Sequence, residues 1–96
     1  MKGKTTPLLR DVPDNKCFRT TAGQVFRSYA ELLDGLKRMD DHVFAQHVND
    51  SRNDFRNWVR DVYSDDKLAR DFSNRPTRIG MAQAVAQRLR NLALRH

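Results

Sequence analysis

The 96-residue chain predicts an α+β fold, mostly helical, in which an N-terminal β-hairpin packs on a compact bundle of about five helices. Three observations carry this reading. Between Lys16 and Arg27, two short runs of strand formers flank Thr21-Ala22-Gly23, with Gly23 supplying the positive φ of a tight turn. From Ser28 onward apolar residues recur at helical spacing. Helix-start signals at Ser28, Asp40, Ser51, Ser64-Asp65-Asp66 and Pro76-Thr77 then divide that stretch into five segments. A chain of this length forms one modest core that buries about two thirds of its unfolded surface.

Residues 1–15 contain Pro7, Pro13 and only Leu8, Leu9 and Val12 for docking, which reads as an irregular basic arm ahead of a single globular domain, 16–96. In the hairpin, alternation places Phe18 and Phe26 on the core face, with Arg19, Val25 and Arg27 on the other. Ser28 and Glu31 form a capping box for a helix to about Arg38, with Tyr29, Leu32, Leu33 and Leu36 on one side. Asp40 caps the next helix, stapled by Met39 and Phe44, which runs to about Asn49 and buries Val43, Phe44, His47 and Val48. Ser51 with Asp54 marks the start of a third helix, on which Phe55, Trp58, Val59 and Val62 form the apolar stripe. Arg52, Arg56 and Arg60 run beside it at i, i+4. Trp58 is expected to be a buried anchor where several elements meet. A short helix follows through Leu68, Ala69 and Phe72, and a last one spans about Arg78–Arg95. The last helix carries a stripe of Ile79, Ala82, Val85, Ala86, Leu89, Leu92 and Ala93, with Arg88, Asn91 and Arg95 on one flank and Arg90 on the other.

The segments "SYAELLDGLKRMDDHVFAQHV", "NDFRNWVRDV" and "DDKLARDF" resemble a small, functionally uncharacterised domain family of archaeal and bacterial proteins with a helical NDFxNWV signature. The likeness covers about residues 18–72 and rests on Met39, Phe44, His47, Asn53, Asp54, Phe55, Trp58, Val59, Leu68 and Ala69. The resemblance implies a fold and a prokaryotic origin, and carries no activity. Members of that family are often acidic through this region, so the basic ends of this chain are its own property.

The formal net charge is +6, unevenly spread: residues 1–27 carry +4, residues 28–66 carry −4 and residues 67–96 carry +6. Basic ends attract polyanions even where the whole chain is only moderately charged. The leading expectation is therefore a small non-enzymatic domain that binds DNA or RNA without sequence preference. Its phosphate contacts would be Arg19 and Arg27 of the hairpin, Arg75 and Arg78 of the loop before the last helix, and Arg88, Arg90 and Arg95 of that helix. The alternative is a protein-interaction or accessory domain that binds a partner protein or another copy of itself, which requires an apolar patch left uncovered.

Enzyme chemistry is disfavoured. His42 and His47 stand five apart on one helix and so face different ways, and the single Cys17 forms neither a zinc set nor an internal disulfide. His47 is expected to be a buried, hydrogen-bonded histidine; if Asn53 and Asp54 lie near it, the three form a polar cluster. Asp65 and Asp66 are accounted for by the helix macrodipole, and Asn53 and Asp54 by capping. No Gly-rich phosphate loop, nucleophile elbow or HExxH is present, so neither cofactor nor metal is expected. No apolar run approaches the roughly 20 residues of a membrane span, and the first residues lack the apolar stretch of a signal peptide. With one thiol, this reads as a cytoplasmic protein with no membrane partner.

Overall fold

The computed structural model describes residues 7–94. A first ribbon pairs β1 (Phe18–Arg19) with β2 (Val25–Phe26) antiparallel, Phe18 opposite Phe26 and Arg19 opposite Val25. It leads into α1 (Tyr29–Arg38) and α2 (Asp41–His47). A second ribbon of β3 (Val48–Asn49) and β4 (Arg52–Asn53) follows, then α3 (Asp54–Tyr63), α4 (Asp66–Asn74) and α5 (Arg78–Ala93). The fold is thus α+β and mostly helical, with the N-terminal hairpin packed on the helices, as the sequence predicts. No helix among the described residues is long and apolar enough to cross a membrane.

The hairpin forms where expected, and its turn is closed from within. Thr20 Oγ1 accepts from the N–H groups of Ala22 and Gln24, and Gly23 takes φ 88°. Phe18 stacks on Phe55 of α3 with ring centroids 4.5 Å apart, while Phe26 lies on α1 over Gly35. A Cβ built on Gly35 would fall inside the Phe26 ring, so this helical glycine is a contact surface rather than a weak point. Ser28 Oγ accepts from Glu31 N–H at 3.2 Å, and Glu31 reaches back to the N–H of Arg27, one residue before the position a standard capping box uses.

Two sequence expectations are corrected. The second helix does not run to Asn49: it ends at His47, and Val48–Asn53 makes the short second ribbon instead. Asn49 Oδ1 accepts from the N–H groups of Ser51 and Arg52, an Asx turn that competes with helix continuation. The N-cap of α3 is accordingly Asn53, whose Oδ1 accepts from Arg56 N–H at 3.0 Å, and not Ser51. The irregular arm is docked from Leu8 onward: Val12 is buried and its N–H donates to Arg27 O, and Tyr63 Oη donates to Arg10 O.

The core runs continuously from Val12 and the two hairpin phenylalanines through α1–α4 to Met81 and Val85 of α5. Trp58 is buried at 8% exposure, its indole N–H donating to Lys16 O at 2.7 Å. It therefore ties the hairpin segment to α3, as its place on the apolar stripe foretold.

Gly35→Ala tests the packing of the hairpin on α1. An exposed helical glycine replaced by alanine gains about 1 kcal/mol, whereas forcing a methyl into a filled core costs about 1–3 kcal/mol. The variant is expected to be net destabilised, by up to about 2 kcal/mol, in urea unfolding, and a stabilised variant would mean that Phe26 does not rest on α1.

Candidate functional site

The most elaborate polar arrangement is internal. Asp65 is the N-cap of α4, its side chain only 1% exposed, and each of its oxygens has two donors. Oδ1 accepts from Leu68 N–H at 3.1 Å and Arg88 Nη2 at 3.2 Å. Oδ2 accepts from Tyr29 Oη at 2.7 Å and Arg88 Nε at 3.0 Å. One carboxylate thus joins the start of α1, the start of α4 and the middle of α5. A buried ion pair persists only when its remaining hydrogen-bonding capacity is filled, which is the case here. Beside it Tyr29 and Tyr63 pack with centroids 4.6 Å apart. Burial, followed by the hydrogen bond to Asp65, raises the pKa of Tyr29 above the usual phenol value. Tyr63 is pushed up to about 12, chiefly by burial and then by the negative charge of Asp11.

His47 forms a second buried node. Its Nε2 accepts from the backbone N–H of Thr21 at 3.1 Å, so Nδ1 carries the proton and donates to Asp54 Oδ2 at 3.0 Å. The ring packs edge-on to Phe18. The lone pair that a general base would use is therefore taken by the main chain, and the histidine holds the hairpin turn against α2 and α3. Asp54 joins this cluster, but Asn53 does not: its amide points away to Phe72 O and Met81 Sδ, linking α3 to α4 and α5.

The arginines singled out from the sequence do not share one fate. Arg88 is withdrawn into the Asp65 pair, its side chain 12% exposed. Arg78 caps α1, donating to the carbonyls of Leu36 at 2.8 Å and Lys37 at 3.1 Å while Nε pairs with Asp41 at 2.9 Å. Arg19, Arg75 and Arg90 are exposed, and Arg27 is exposed beside Asp14 at 3.8 Å. Arg95 lies outside the described residues. Arg19 and Arg27 hang on the hairpin, which packs on α1 and α3, whereas Arg75 and Arg78 open α5 and Arg90 stands near its end. Arg78 and Arg90 are twelve residues apart, about 18 Å along the helix.

What the surface does present is an apolar groove of about 420 Å³ between α1 and α5, lined by Lys37, Arg78, Ile79, Ala82, Gln83 and Ala86. Ile79, expected on the buried stripe, is 63% exposed. The buried face of α5 is instead built by Gly80, Met81, Ala82, Ala84 and Val85. The cause is the placing of Arg88. Residues nine apart on an α-helix point in opposite directions, so turning Arg88 toward Asp65 turns Ile79 toward solvent.

Compared with protein-family models, with curated proteins and with solved structures, the chain matches none.

The tyrosines give a pH test. A native pKa raised above the unfolded value means stability that is full below about pH 10 and lost as pH rises through the folded value. Both tyrosines of the chain are buried. The phenolate absorbance of the native protein is therefore expected to be nearly absent at about pH 10.5 and to grow only with the loss of helical circular dichroism. A phenolate titrating near pH 10 in a protein still folded would contradict the burial of this pair.

Proposed function

We propose that this chain is a non-enzymatic protein-interaction domain that receives a segment of a partner polypeptide in the α1–α5 groove. The observation that carries this reading is the exposure of Ile79 at the head of an apolar groove, since large side chains left in contiguous apolar surface mark interaction sites. Two of the candidate arginines have donors already engaged within the chain, Arg88 in the interior with Asp65 and Arg78 at the end of α1 with two carbonyls and Asp41, which weakens the nucleic-acid reading. The four other described candidates are divided between the hairpin and the two ends of α5. Backbone-tracking proteins need such groups along one path, because affinity comes from counting neutralised phosphates.

The test is selection of binders from a displayed library of helical and extended peptides, with counter-selection against the Ile79→Glu variant. That variant is expected to fold with stability within about 0.5 kcal/mol of the parent, because the position is exposed. Recovered peptides should shift the amide resonances of α1 and α5 in the wild-type protein and lose at least tenfold in affinity on Ile79→Glu. A selection that yields no Ile79-dependent binder, together with saturable, salt-sensitive binding of duplex DNA or RNA that the exposed arginines carry, would return the assignment to nucleic acid.

A further inference from the structure

We infer that the occupant of this groove is an acidic amphipathic helix of a partner protein, an inference that rests on the interaction reading above. Shape comes first. Ile79, Ala82, Ala86, Leu89 and Ala93 follow the 3-4-3-4 spacing of a coiled-coil seam along α5. Ile79 and Ala93 are exposed at the two ends, and Ala86 and Leu89 are half-buried between them. The seam is about 21 Å long, the length of four helical turns. Alanines in its middle let a second backbone come close, and Ile79 supplies the larger contact, Leu89 being packed partly against the core. A strand is a poor occupant, because each strand of the described residues is two residues long and offers no edge to extend.

Charge chooses among helices. α5 contains Arg78, Arg88 and Arg90 and neither Asp nor Glu. Arg90 lies on the solvent side of the seam, bonded to Gln87, and the α1 rim of the groove adds exposed Lys37. Of the carboxylates at this end of α1, Asp41 is paired with Arg78 and Asp34 with Arg38. Flanking positions of a seam set partner choice through their charges, and here they call for carboxylates. With Arg78 and Arg88 already paired with Asp41 and Asp65, a second copy of α5 would offer Arg90 and Lys37 no acid of its own helix, so α5-on-α5 self-association gains nothing from charge.

The probe is a designed 16-residue helical peptide with leucine at seam positions and glutamate on both flanks, paired with its twin carrying lysine in place of every glutamate. Titrated into the full chain at low salt, the glutamate peptide is expected to bind at least tenfold more tightly than the lysine peptide and to shift amides of Ile79, Ala82, Ala86 and Lys37. Lys37→Glu combined with Arg90→Glu should reverse that preference, a readout that loss of folding cannot imitate. If both peptides bind the groove equally well, or the lysine peptide binds better, the acidic occupant is wrong while the groove stands. If neither peptide binds and library selection also gives no Ile79-dependent binder, both fail. A wild-type chain that sediments as a dimer dispersed by Ile79→Glu would overturn the inference in favour of self-association.

Discussion

Asp65 is the group on which the arrangement of α1, α4 and α5 turns. An isolated carboxylate in an apolar interior is costly, and the chain meets that cost with four donors: an α4 backbone N–H, the Tyr29 hydroxyl and two guanidinium N–H groups of Arg88. Because one of the donors is the Leu68 N–H that Asp65 caps and another comes from the first residue of α1, capping, charge neutralisation and interhelical spacing are satisfied by the same two oxygen atoms. Arg78 makes a matching connection ten residues earlier on α5, closing the carbonyl end of α1. With Arg78 at the end of α1 and Arg88 beside its beginning, the two helices are held antiparallel at two points.

That double tether has a consequence for the surface. With Arg88 drawn inward, the periodicity of the helix leaves the Ile79–Ala86 side outward, beside α1, and so creates the groove. Structure and proposed function are thus linked through the rotation of one helix. The same rotation removes from the surface an arginine that basic composition alone would have assigned to a polyanion. Net charge is a fair guide to solubility and to steering, but whether a given cation is available depends on which acids the fold places against it.

The elements were largely legible in the sequence because their signals are local. Ser28 as an N-cap, Gly23, the paired Phe18 and Phe26, and the Phe55–Trp58–Val59 stripe each act within a few residues, and each appears in the structure where its pattern puts it, while Glu31 reaches one residue further back than the pattern predicts. His47 was legible as buried because it continues the apolar spacing of α2. The ending of that helix was not, since Val48 keeps the same spacing and only the Asn49 turn and the tie from His47 to Thr21 stop it. The face of α5 was misread for a related reason. Counting apolar residues favours a stripe headed by Ile79, whereas the buried face is centred near Met81 and Arg88, and the acid that draws Arg88 inward stands 23 residues away. Asp65 itself looks like any acidic residue at a helix start. Nothing nearby in the sequence marks it as a buried ion.

The most direct measurement of the central claim is the unfolding free energy of Arg88→Met. Methionine keeps most of the volume and helix propensity of the arginine while leaving the Asp65 carboxylate buried without its cation. A loss of about 3–5 kcal/mol is expected, with recovery of a large part when Asp65 is replaced by Asn in the same chain. An Arg88→Met protein as stable as the parent to within about 0.5 kcal/mol would contradict the claim: Arg88 would then be a surface residue, available to a polyanion after all.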